Sequence, residues 1–90
     1  MKVEEITNFL EEHYLYDHPN LLLADNFEEA FVGVVEGFNL QPKTCYDYDK
    51  CIEILERDMD REEAIEFFHF NVEGAYVGEH TPCFIKSYRE

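Results

Sequence analysis

From Val3 to Pro42 the chain carries nine carboxylates and no Lys or Arg, and any fold must accommodate that imbalance. The nine are Glu4, Glu5, Glu11, Glu12, Asp17, Asp25, Glu28, Glu29 and Glu36. The stretch from Lys43 to Glu90 is less extreme, with twelve acids against six bases, and the whole chain stands at −14. A charge of this sign repels DNA, RNA and anionic membranes at physiological salt, so direct binding to any of them is not expected. It suits a cationic partner instead, either a basic protein such as a nucleic-acid-binding protein or a metal ion. Acidity also serves solubility without any further role.

Ninety residues make one domain, 1–90, with no room for a second. The hydrophobic fraction of 46 % and the aromatic fraction of 16 % are too high for a disordered acidic tail. A chain this short is marginal as a monomer, which keeps a structural homo-oligomer among the expectations. The opening Met-Lys-Val-Glu-Glu-Ile has no apolar core of a secretory leader, and no apolar run approaches the ~20 residues that span a bilayer. Cys45, Cys51 and Cys83 lack the CxxC spacing of a structural zinc site. Reduced thiols in a cytoplasm are the expectation.

Val3, Ile6, Phe9 and Leu10 recur at helical spacing, with Glu4, Glu5, Glu11 and Glu12 on the other faces, and predict an amphipathic helix from Val3 to His13. Pro19 disfavours helix at His18, so Tyr14 to Asn20 reads as a loop. Leu21, Leu22 and Leu23 form an apolar turn. Asn26 followed by Glu29 resembles a capping box, and Phe27, Phe31, Val34, Val35 and Phe38 lie on one helical stripe. A second helix is therefore expected from Phe27 to Phe38, weakened by about 1 kcal/mol each at Gly33 and Gly37.

Asn39 to Lys43 reads as a connection and Thr44 to Tyr46 as a short strand. Asp47 or Asp49 caps a third helix whose core face is Tyr48, Cys51, Ile52 and Leu55, ending near Asp58. Asp60 with Glu63 opens a fourth helix carrying Ala64, Ile65, Phe68 and Val72. Gly74 or Gly78 closes that region. The tail, Thr81 to Tyr88, has β composition and is expected to pair with Thr44 to Tyr46. The fold class that follows is α+β, mainly helical, with about four helices and a small two-stranded β-ribbon.

No HExxH, DxDxDG, GxxxxGK[ST] or GxSxG pattern is present. A cluster of His18, His69 and His80, helped by Asp17 or Glu79, is the arrangement that would bind a divalent ion or support a metal-dependent enzyme. Ordinary surface histidines explain the same residues, and no cofactor, metal or catalytic residue is assigned. Paired Thr44–Tyr46 and tail strands would set Cys45 beside Cys83 if in register, as a reduced pair. Tyr46-Asp-Tyr-Asp can imitate bases and phosphates on a duplex surface, or simply supply core-edge tyrosines and helix caps. Asn71, Glu79 and Thr81 are placed to hydrogen-bond the loop that leaves the last helix.

Two segments, Cys45-Tyr-Asp-Tyr-Asp-Lys-Cys-Ile-Glu-Ile-Leu and Glu62 through Phe84, resemble a group of short, acidic, uncharacterised proteins of bacteriophages and bacteria with no assigned activity. Asp17-His18-Pro and Leu23-Ala-Asp-Asn-Phe-Glu-Glu-Ala-Phe carry the same resemblance. It implies a phage or bacterial setting, hence the cytoplasm of a bacterial host cell; if that setting is viral, a small acidic protein that obstructs host nucleic-acid-binding machinery is the expectation. The expected function is that of an interaction protein, leaning away from enzymes. Its carboxylates, above all Glu4, Glu5, Glu11, Glu12, Glu28 and Glu29, would occupy a basic groove as a DNA mimic.

Overall fold

The computed structural model describes residues 3–75 and 78–88. Helix α1 (Val3–His13) is followed, after a loop, by a single 3-10 turn (Glu28–Ala30) and strand β1 (Phe31–Gly37). Then come β2 (Leu40–Asp47), α2 (Tyr48–Leu55), α3 (Arg61–Phe68), a π-helical turn (His69–Glu73) and β3 (Cys83–Ile85). The sheet has the order β1-β2-β3, with β1 antiparallel and β3 parallel to the central β2.

This α+β fold of three helices and a three-stranded mixed sheet corrects the expectation of a mainly helical chain with four helices and a two-stranded ribbon. The error lies at Phe27 to Phe38. Phe31-Val-Gly-Val-Val is β-branched and aromatic, which suits a pleated surface better than a helix. The two glycines that weakened the helix assignment each sit beside a register shift in the β1–β2 ladder, between Phe31 and Gly33 and between Val35 and Gly37. Asn39 then reverses the chain at φ 58°, a left-handed conformation that Asn tolerates. Asn26 is no helix cap either: it adopts φ 74°, and its backbone N–H donates to Glu28 Oε1 at 3.2 Å.

The expected connection at Asn39 to Lys43 is also mostly strand, because β2 begins at Leu40. Pro42 is tolerated there, since β3 pairs only with Cys45, Tyr46 and Asp47, and the β1 ladder is irregular opposite it. Within β2, alternation sends Thr44 and Tyr46 to one face and Cys45 to the other. Thr44 Oγ1 donates to the Leu22 carbonyl at 2.6 Å, and the Tyr46 hydroxyl accepts the Ala24 N–H at 2.9 Å. Two buried side chains thereby tie the Leu21–Ala24 segment to the sheet and satisfy backbone groups that have no ladder partner.

One core cluster holds Ile6, Leu10 and Leu21; the other holds Phe27, Ala30, Tyr46, Tyr48, Cys51, Ile52, Ala64 and Phe68. Phe31 packs on both. Aromatic edges run from one to the other: Phe9 to Phe31, Phe31 to Tyr46, Tyr46 to Phe84, Phe84 to Phe68 and Phe68 to Tyr48, at centroid separations of 6.2, 5.6, 6.0, 4.8 and 5.1 Å. Each fully buried ring contributes about 1.5–3 kcal/mol of hydrophobic stabilisation.

The second half follows its local signals more closely. Asp60 Oδ1 accepts the Glu63 N–H at 2.8 Å and starts α3 as an N-cap. Asp47 occupies the N-cap position of α2 but makes no side-chain cap bond. The π-helical turn ends at Gly74, where a Cβ would meet the His69 carbonyl oxygen at 3.1 Å, tighter than ordinary contact. Asn71 Nδ2 donates to the Phe67 carbonyl and Thr81 Oγ1 to the Gly78 carbonyl, so both help to shape the exit from α3. Tyr76 and Val77, within the expected turn, lie outside the described residues. No described helix is long and apolar enough to cross a membrane.

Candidate partner-binding surface

Helix α1 buries Ile6 and Leu10 against Leu21 and turns its carboxylates outward. A 3.6-residue period aligns Glu4 with Glu11 and Glu5 with Glu12, two turns apart, or about 10.5 Å along the axis. All four are exposed, and none makes an ion pair or side-chain hydrogen bond among the described residues.

The described cations are engaged elsewhere. Lys43 donates to the Glu79 carbonyl, Lys50 lies 3.5 Å from Glu53, and Arg61 lies 3.1 Å from Glu56. Arg57 holds Glu29 with two bonds of 3.2 and 2.8 Å. Lys86 sits 4.6 Å from the centre of the Tyr48 ring. The sequence imbalance is thus kept in space. Cations of the second half serve that half and Glu29, and the α1 face stays unneutralised among the described residues.

The six expected partner-binding acids therefore divide into two groups. Glu28 and Glu29 make contacts within the protein, whereas Glu4, Glu5, Glu11 and Glu12 make none among the described residues. Glu28 accepts the Asn26 N–H, while the guanidinium of Arg57 holds the Glu29 carboxyl below the usual carboxylate range. Both pin the approach to β1. Beyond α1, Glu36 on β1 accepts the Tyr14 hydroxyl at 3.4 Å. Partial desolvation, reinforced by that carboxylate, raises the Tyr14 phenol above its ordinary value.

An apolar component accompanies the acids that the charge pattern did not foretell. Glu5 and Phe9 on α1 line an open depression of about 240 Å³ with Phe31 and Val32 of β1. At the hairpin tip Phe38 is 96 % exposed and Leu40 is exposed too, while Val32 is exposed at the start of β1. The signal for this was the hairpin itself: two β-rich runs around Gly-Phe-Asn. Leu23, Phe27, Val72, Pro82 and Phe84 line a separate apolar cleft of about 220 Å³.

The remaining candidates resolve differently. His18 and His80 are neighbours, with ring centroids 6.1 Å apart, and His80 donates from Nδ1 to the Pro42 carbonyl at 2.8 Å. His69 instead pairs with Glu73 at 3.0 Å on the π-helical turn. The structure thus does not assemble His18, His69 and His80 into one centre, and no three His, Cys, Asp or Glu among the described residues could hold a metal ion. Tyr46 and Tyr48 are core residues, so the Tyr46-Asp-Tyr-Asp segment offers no tyrosine surface to a partner.

Comparisons of the chain with protein-family models, with curated proteins and with solved structures found no match.

Proposed function

We propose that this chain is an acidic interaction protein whose α1 face, Glu4, Glu5, Glu11 and Glu12, docks into a basic groove of a partner protein. The observation that carries the reading is the pair of adjacent rows, Glu4 with Glu11 and Glu5 with Glu12, exposed on α1 with no described cation beside them. Carboxylates held at fixed spacing on a rigid helix offer a cationic groove what a phosphate backbone offers, without sugar or bases. The sharper form of the proposal is a phage-encoded DNA mimic, acting in the bacterial cytoplasm, that occupies the nucleic-acid-binding groove of a host protein. The exposed Phe9 and Val32 beside Glu5 add apolar contact that a purely electrostatic complex lacks. Association is steered by charge, so it is fast at low salt and slows as salt rises. Reversing the four α1 acids to Lys tests the proposal: association with the partner should slow at least tenfold at low salt. Unchanged association would sink the reading.

A second reading, self-assembly through the β1–β2 hairpin, is favoured by the exposure of Val32 on the edge strand β1 and of Phe38 and Leu40 at the turn. Sedimentation across a hundredfold range of protein concentration distinguishes it, since a monomer throughout excludes it.

A further inference from the structure

Cys45 and Cys83 occupy partner positions across the parallel β2–β3 pair. Neighbouring strands are about 4.8 Å apart, and a disulfide needs Cα atoms about 4.4–6.8 Å apart, so the strand spacing suits a bond between register partners. The neighbouring Cys83 helps to raise the Cys45 thiol, and Cys83 Sγ lies 3.5 Å from the Thr44 carbonyl oxygen. Their exposures differ: Cys45 is 4 % exposed and Cys83 only partly covered. Cys51 is fully buried on α2, within the larger core cluster.

The geometry points to Cys45 and Cys83 as a reversible disulfide site, oxidised by exchange with a low-molecular-weight disulfide of the oxidised-glutathione class. Cys83, the accessible member, attacks first as thiolate: an S–S bond forms between Cys83 and one glutathione, and the other leaves as thiolate. Cys45 then attacks the Cys83 sulfur, the mixed disulfide breaks, and the second glutathione leaves. Two protein thiols are oxidised and one glutathione disulfide is reduced, with the two thiol protons ending on the two glutathione products. Burial, then the neighbouring Cys83, pushes the Cys45 thiol up to about 11, which favours the more accessible Cys83 as the first nucleophile.

The consequence is structural. Strand β3 has three residues and pairs with the sheet on one side only, so it is the least anchored strand. The disulfide closes a loop of about 40 residues that contains α2 and α3, a length at which cross-linking restricts the unfolded chain substantially. It also fixes Pro82 and Phe84, which flank and follow Cys83 and line the apolar cleft with Phe27 and Val72.

The test uses the full chain, incubated folded with oxidised glutathione, quenched in acid, alkylated under denaturing conditions and mapped by mass spectrometry. The expected product has one alkylatable thiol, at Cys51, a mass 2 Da lower than the reduced chain from loss of two hydrogens, and a Cys45–Cys83 cross-linked peptide. Its Tm should exceed that of the reduced chain by about 10 °C. The Cys51→Ala variant should form the same bond, and Cys83→Ser should form none. Three alkylatable thiols after incubation, a bond involving Cys51, or an oxidised form that melts no higher than the reduced one would each overturn the assignment. The wild-type result decides the matter even if a variant fails to fold.

Discussion

The phenol oxygen of Tyr46, on the central strand, accepts the backbone N–H of Ala24 at 2.9 Å. Tyr46 is 1 % exposed, and burial raises its phenol above the ordinary value, so it stays a neutral hydroxyl throughout the physiological range. Together with Thr44 Oγ1 on the Leu22 carbonyl, this bond fastens an otherwise irregular segment to the sheet. Tyr46→Phe keeps the ring and strands the Ala24 N–H, and should cost about 1–3 kcal/mol in urea unfolding with an unchanged m-value. Loss of less than half a kcal/mol would mean that the segment holds without the bond.

The cap of α3 is separable from the core. Asp60→Ala removes the acceptor for the Glu63 N–H and should destabilise the fold by about 1 kcal/mol, whereas Asp60→Asn should retain most of the stability. Chemical denaturation of the three proteins side by side gives the comparison. The same aspartate raises the Glu63 carboxyl above its ordinary value through a shared hydrogen bond and like-charge repulsion.

The ion pair of Glu29 with Arg57 has a defined pH signature. The Glu29 carboxyl is depressed, first by the Arg57 hydrogen bonds and then by its charge. A depressed carboxylate contributes stability that is fully present above its unfolded pKa and lost as pH falls through the folded value. Wild type should therefore melt above Arg57→Gln at pH 7, and the gap should close below the acid range of the carboxylate. The gap should be small, since both groups are solvent-exposed, and smaller still in high salt. A gap that persists at pH 2 would assign the effect of Arg57 to packing rather than charge.

The hairpin tip tests the second functional reading independently of stability. Phe38 is exposed at the turn, so Phe38→Ser should change unfolding free energy by no more than about 0.5 kcal/mol. If self-assembly uses this face, the same substitution should lower the association constant at least tenfold in sedimentation experiments. Association unaffected by Phe38→Ser would place any self-contact elsewhere.

Where local signals were strong, the elements could be read from sequence. The spacing of Ile6 and Leu10 among glutamates marked α1, and Asp60 with Glu63 marked the start of α3, because both are interactions within a few residues. The doublet Val34-Val35 in Phe27 to Phe38 fits a helical stripe, while the decisive partners, Thr44 and Lys43, lie across the hairpin on β2, beyond the reach of a helical window. Register shifts blurred the strict alternation by which a strand is recognised. At the surface, the exposure of Glu4, Glu5, Glu11 and Glu12 could be read because a helix is periodic. The diversion of Glu28 and Glu29 into contacts with Asn26 and Arg57 depended on tertiary structure that spacing does not encode.

The central claim is that the α1 carboxylates occupy a groove built for nucleic acid. The most direct measurement is affinity capture from a bacterial lysate at low salt with wild type and with the Glu4, Glu5, Glu11 and Glu12 to Gln variant. Captured proteins are eluted in rising salt or with duplex DNA and identified by mass spectrometry, after circular dichroism has shown equal folding of the two baits. The expected result is a nucleic-acid-binding protein retained by wild type alone, released by salt and displaced by DNA. Equal retention by both baits, resistance to DNA, or no specific retention by wild type would contradict the account.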